Sequence, residues 1–291
     1  MSRTTRAHRQ ARPARAGLYV LLLVALLTFL IPLYWLASSA LKPTADIYRF
    51  PPSWIPRTLH LANFATAWNA VPFGHFFVNS LIVSLAGTAL TVINASLSSY
   101  ALTFIRVPFS NLVFYIILGA LMIPGDIALI PNYVTISNLG WLNTYQGIFL
   151  PASGSAFGTF LMRQHLRTIP LEVVEAARVA GAGHASLLLR IVLPMSKPIL
   201  ITTAVVSLVT EWNQFIWPLI VTNTSQMRTL PIGLLFLNTQ EGYQDWGSVM
   251  AGTVMVALPM VVAFVIAQRQ IVEGLTGTTP TRSPMGPVRA R

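Results

Sequence analysis

The 291 residues contain no cysteine, only two lysines and only eight acidic side chains; charged residues of both signs make up 9% of the chain. Without cysteine there is neither a disulfide staple nor thiol chemistry. A soluble domain carries about a quarter of its residues as charges, so 9% excludes that class. With 54% hydrophobic residues and a mean hydropathy of +0.63, the chain reads as all-α and membrane-integral, because ionisable groups are costly in hydrocarbon. Neither Lys42 nor Lys197 follows a Gly-x4-Gly frame, so no loop cradles phosphates and the chain does not hydrolyse ATP. His8, His60, His75, His165 and His184 show no metal-ligand spacing, and no metal is expected. The apolar runs also lack the clustered histidines, thiols and paired acids that an enzyme of the membrane requires. The net charge of +11 does not indicate nucleic acid, since the basic residues stand at the ends of apolar runs and in the tails.

What is present is a set of long apolar runs. A helix needs about 20 apolar residues to cross the hydrocarbon. Six runs meet that length, at about 17–41, 75–103, 111–131, 145–164, 199–222 and 247–268. The first follows a basic segment, 1–16, that looks like the start of a signal peptide. It is too long for a cleaved apolar region of about 7–15 residues and reads as a retained transmembrane helix. An outer loop is expected over 42–74, a five-helix membrane domain over 75–268, and a Pro/Gly/Thr/Arg-rich cytoplasmic tail without fixed structure over 269–291. With the N-terminus inside and six crossings, 15 of the 19 Lys and Arg residues fall on the cytoplasmic side and four outside. Both termini are then cytoplasmic. Tyr19, Tyr34, Trp35, Trp54, Trp68, Trp141 and Trp217 mostly fall near run ends and read as an interfacial aromatic belt.

Between the fourth and fifth runs lies a polar insertion, about 165–196, containing "EVVEAARVAGAGHASLLLRIVLP". Pro170 suits the first turn of a helix and Glu172 the positive end of its dipole. Gly181 and Gly183 interrupt the pattern, so the insertion is expected to be two short helices joined by an elbow. Val173, Ala177 and Ala180 would form a small-residue face for a groove to receive. A helix lying on lipid headgroups is the alternative, but Glu172 and Glu175 beside a single Arg178 do not suit an anionic leaflet.

These residues carry a resemblance. Glu175, Ala176, Ala177, Gly181, Ile191, Leu193 and Pro194 keep every spacing of the cytoplasmic signature of permease subunits of binding-protein-dependent ABC importers. "EWNQFIWPLIV" (211–221), "RTLPIGLLFL" (228–237) and "NLGWLNTYQGIFLP" (138–151) resemble the carbohydrate-uptake branch, and within it the maltose-type second permease. Ala180 stands where that branch usually has Asp, Gln214 replaces its fifth-helix acid, and "GTTPTRSP" replaces its usual ending. The resemblance implies six transmembrane helices with a coupling helix between the fourth and fifth. It implies half of a translocation pore for a sugar or oligosaccharide. The other half would be a second permease subunit, and the remaining partners a cytoplasmic ABC ATPase dimer, which binds the ATP and Mg, and an extracytoplasmic solute-binding protein. Membrane lipid surrounds the pore, and no nucleic acid is involved. The seven signature residues would meet the ATPase, and Gln240, Glu241 and Gly242 the binding protein.

Glu211 is the one carboxylate well inside a run, next to Asn213 and Gln214. Either these residues line the translocation path and hydrogen-bond cargo hydroxyls, or Glu211 makes an interhelical hydrogen bond or lies at the outer rim. Asp126, near an outer helix end, reads as a solvated acid. Two other readings of the whole stay open: an ABC importer permease for a non-sugar solute, and an ion-coupled secondary transporter. The latter needs several intramembrane ionisable groups and often repeats.

Overall fold

A computed structural model describes the backbone over 5–238 and 245–276, and the side chains over 17–237 and 245–272. All regular structure among the described residues is helical. In chain order the helices are α1 (Thr5–Ala40), α2 (Thr44–Ile47), α3 (Ala62–Ala70), α4 (Phe73–Phe104), α5 (Ser110–Ala120), α6 (Leu129–Asn138), α7 (Tyr145–Phe149) and α8 (Ala156–Leu166). They continue with α9 (Leu171–Val179), α10 (His184–Leu187), α11 (Leu193–Met195), α12 (Lys197–Trp212), α13 (Ile216–Val221), α14 (Leu230–Asn238) and α15 (Trp246–Thr276). A 3-10 turn, Gly125–Ala128, leads into α6, and a π-helical turn, Leu188–Val192, joins α10 to α11.

Three helices are long and apolar enough to cross a membrane: Gly17–Ala40 of α1, Phe73–Phe104, and Trp246–Val272 of α15. Two bent pairs raise the number to five if each is one span. These are Ser110–Ala120 with Gly125–Asn138, bent by 91°, and His184–Met195 with Lys197–Trp212, bent by 83°. Length and composition therefore do not reach six among the described residues. Three of the expected continuous runs are interrupted, each for a local reason. The third breaks at Pro124–Gly125. The fourth splits into α7 and α8, because Pro151 and Gly154 stop the first and Ser155 caps the second by accepting the Gly158 amide at 2.8 Å. The fifth ends at Trp212 and resumes at Ile216, where Pro218 falls in a first turn that does not need its N–H.

The chain divides into two compact units. One comprises the described residues up to Phe73 and those between Leu234 and Ala257. Within it Lys42 is 0% exposed just past the end of α1. The Lys42 ammonium donates to the Ser53 carbonyl at 2.6 Å and to Ser38 Oγ at 3.1 Å, and sits 4.4 Å above the Trp35 ring. Burial pushes its pKa down, with Asp46 opposing. Asn63 ties α3 to this corner by donating to the Ala40 and Lys42 carbonyls, and Gly247 packs so closely that a Cβ there would stand 2.7 Å from Asn63 Nδ2. Asp245 opens α15, accepting from the hydroxyls of Ser248 and Thr44. Burial alone would raise its carboxyl pKa; those hydroxyls and the amides of Ser248 and Gly247 bring it below its ordinary value.

The other unit comprises Gly74–Gly233 and the described residues from Leu258 onward, and holds the insertion. One of its cores gathers Tyr100, Met162, Leu166, Val174, Leu187 and Val192, with Ala177, Ile191 and Leu193 packed against them. Each fully buried large aliphatic side chain contributes about 1.5–3 kcal/mol. A second core, Val83, Ile136, Ile148, Trp217 and Val221, joins α4, α6, α7 and α13. Trp217 is buried there and its Nε1 donates to the carbonyls of Gly147 and Ile148 at 3.2 and 3.0 Å. It is therefore a packing anchor and not part of the expected aromatic belt.

Candidate functional site

The insertion is helical where expected, and its geometry follows from a few residues. Pro170 caps α9 with extended backbone, Glu172 lies in its first turn and Arg178 in its last. The helix ends in a paired hydrogen-bond motif: Gly181 N donates to Arg178 O at 2.9 Å and Ala182 N to Ala177 O at 3.0 Å. Gly181 has φ +86° and a Cβ there would meet nothing within 4 Å, so glycine is required by the backbone and not by space. Gly181→Ala is expected to destabilise the insertion by about 1–2 kcal/mol, the cost of a left-handed L-residue. Faster proteolytic nicking after Val179 in the purified membrane complex is the check; an unchanged nicking rate would contradict the motif.

After the glycine elbow the second stretch is not one α-helix. Pro194 has no N–H to return to the turn before it, and Leu193 N instead reaches Leu188 O, which makes the π turn. Two hydrogen bonds latch the insertion to α4. Arg178 Nη2 donates to the Phe104 carbonyl at 2.7 Å, and Tyr100 Oη meets His184 Nδ1 at 2.9 Å.

The seven signature residues divide between two roles. Ala177, Ile191 and Leu193 pack against the core, beside Val174, which is 0% exposed. Glu175, Ala176, Gly181 and Pro194 are exposed. The small-residue face expected from Val173, Ala177 and Ala180 is thus corrected, since Ala177 turns inward. The outward face is Glu172, Glu175, Ala176 and Val179, at spacings of three, one and three, and Val179 is 90% exposed.

The second candidate lies at the other end of α12. Glu211 is 6% exposed and lines a cleft of about 540 Å³ with Gln214, whose Nε2 donates to Glu211 Oε2 at 3.1 Å. Gly87 of α4 makes room for the carboxylate: a Cβ there would stand 2.9 Å from Glu211 Cδ. Thr203, Ser207 and Thr210 of α12, Thr91 of α4 and Ser155, which caps α8, place hydroxyls around the same cleft. Asn213 does not join them. It lines a neighbouring cleft of about 650 Å³ with Asp126, Asn132 and Gln214, and its Nδ2 donates to the Val209 carbonyl at 2.8 Å. Sequence reasoning missed Gly87 and the hydroxyls of Thr91 and Ser155; a glycine facing an intramembrane acid has no signal of its own. Gln240, Glu241 and Gly242 lie outside the described residues. No cluster that could hold a metal occurs among the described residues.

The family model for the binding-protein-dependent transport system inner membrane component matches residues 84–271, which include the insertion and the carboxylate cleft. The chain belongs to this family. It is therefore a membrane permease component of a transport system. It is 34% identical over 264 residues to the sn-glycerol-3-phosphate transport system permease protein UgpE of Yersinia pestis, covering 88% of this chain and 94% of that protein. The protein of the same name from Escherichia coli O6:K15:H31 gives the same identity and coverage. Among solved structures, a chain of a bacterial ABC transporter involved in the import of the acidic polysaccharide alginate superposes with a TM-score of 0.79, at 21% identity, over 90% of this permease and 97% of that chain. A chain of the bacterial alginate ABC transporter in complex with an alginate pentasaccharide-bound periplasmic protein gives 0.63, at 16% identity, over 89% and 95%. At these identities the two structures bear on the fold, and both share it.

Proposed function

We propose that this permease forms half of the pore of a bacterial ABC importer for a sugar or oligosaccharide, with both termini in the cytoplasm. A second permease subunit completes the pore, a cytoplasmic ATPase dimer drives it, and an extracytoplasmic solute-binding protein delivers the cargo. The observation that carries the reading is α9. Its inner face is locked to the core and to the end of α4, while Glu172, Glu175, Ala176 and Val179 are presented together with none of the described residues over them. A short rigid helix fixed at one side and free at the other transmits displacement, which coupling through a two-position element requires. ATP and Mg are bound by the partner. The alginate transporter, with its oligosaccharide-bound periplasmic protein, supports a saccharide cargo and a binding protein; the glycerol phosphate relatives support a small non-sugar solute as the second reading. Glu211 and Gln214 line the translocation path.

Because the chain has no cysteine, Ala176→Cys supplies a single thiol on the free face. In native membranes it is expected to crosslink to an ATP-binding subunit with a short bifunctional reagent. Capture only of lipid or of nothing, with the subunit present, would overturn the coupling role.

A further inference from the structure

Glu211 brings a carboxylate to a cleft that also presents the hydroxyls of Thr91, Ser155, Thr203, Ser207 and Thr210, and none of the described residues lining it is Lys, Arg or His. The Thr203 hydroxyl is buried and has no hydrogen-bond partner. A buried hydroxyl left unpaired is unfavourable unless a guest or water satisfies it. Among the described residues the carboxylate accepts from Gln214 Nε2, and a carboxylate has acceptor capacity beyond one such bond. Gly87 packs directly against the Glu211 side chain, where a Cβ would stand 2.9 Å from its Cδ.

Resting on the reading of this cleft as part of the path, we propose that it passes uncharged, hydroxyl-bearing cargo and repels cargo bearing phosphate or carboxylate. An acceptor carboxylate and the unpaired Thr203 hydroxyl match the donors and acceptors of a neutral polyol or saccharide. Against an anion the same carboxylate is repulsive, and in a site walled by helices that repulsion is screened far less than in water. The cargo would then differ in charge from the glycerol phosphate and alginate named for its relatives.

The absence of cysteine makes the preference measurable in the assembled transporter. Ser207→Cys places a thiol one helical turn before Glu211, and Thr210→Cys places one beside it on a more exposed position, in case the first substitution impairs assembly. The probes are the cationic 2-(trimethylammonium)ethyl and the anionic 2-sulfonatoethyl methanethiosulfonates. Each rate is normalised to that of a free thiol, with labelling of the unsubstituted assembly subtracted. The cationic reagent is expected to react at least about tenfold faster than the anionic one, and Glu211→Gln to bring the ratio to within about twofold of unity. Equal rates in the parent, a bias that survives Glu211→Gln, or failure of both cysteines to label with or without ATP would overturn the proposal. The crosslink from position 176 is read independently, so loss of the charge preference and loss of the coupling role are told apart.

Discussion

Glu175→Lys is expected to reduce uptake to background while leaving the amount of permease in the membrane unchanged. Glu175 is exposed and makes no hydrogen bond or ion pair within the described residues, so its replacement removes nothing that holds the fold. Surface substitutions of that kind shift stability by about 0.5 kcal/mol or less. Glu172 remains in the first turn to complement the helix dipole, and Arg178 remains bonded to Phe104, so α9 stays formed and anchored. On the proposed docking face the outcome differs. Reversing a charge that is desolvated against a partner costs about 2–5 kcal/mol, and each 1.4 kcal/mol is tenfold in affinity. The ATPase should therefore dissociate during purification at concentrations where the parent complex survives, and its hydrolysis should no longer respond to loaded binding protein. Glu175→Gln removes the attraction without adding repulsion and should fall between the two. Parent-level uptake in Glu175→Lys, with the ATPase still bound, would remove the basis for assigning this face to coupling.

The insertion was legible in the sequence because a few strongly signalling residues set its helix and its elbow. A helix of this length needs a start and a stop, and Pro170 and Gly181 are written directly into the pattern. The outward direction was not legible, because three-residue and four-residue spacings describe a face without saying which way it points; packing of Ala177 against the core decided that. The apolar runs were legible as runs but not as single helices. A hydropathy window averages across Pro124, Pro151 and Asn213, whereas the backbone responds to each locally. The carboxylate cleft was half legible. An acid within an apolar run points to an interior site, but Asn213 follows the end of α12 and turns back on its own helix, so adjacency in sequence did not become adjacency in space. The π turn over Ile191 depended on Pro194, whose effect appears only once the preceding turn must find other donors.

Gly147→Ala should be the most disruptive alanine substitution among the described glycines. A Cβ at this position would stand 2.1 Å from the Trp141 carbonyl oxygen and 3.2 Å from Thr144 Oγ1. Neither neighbour can move aside cheaply. The Trp141 carbonyl accepts from Thr144 Oγ1 at 2.7 Å, and Thr144 in turn caps α7 by accepting the Gly147 amide at 3.2 Å. Asn143, in the turn between them, has φ +57°, and its side-chain oxygen accepts the Asn223 amide at 2.6 Å, so the turn is also tied to the segment after α13. Relief requires backbone displacement, and overpacking of that kind costs about 1–3 kcal/mol or more. The consequence extends beyond stability. Trp217 donates to the carbonyls of Gly147 and Ile148, so a shifted α7 loosens the anchor of α13. Gln214 lies three residues before that anchor, and its bond to Glu211 depends on the same short connection. The expected result is a thermal midpoint in detergent lowered by several degrees, with cargo-dependent ATPase stimulation reduced in the fraction that folds. Gly154→Ala is the matched comparison: its Cβ would meet nothing within 4 Å, and it should melt with the parent. If both variants melted with the parent, the close approach of α7 to Trp141 would not be the constraint that holds Trp217 and, through it, the carboxylate cleft.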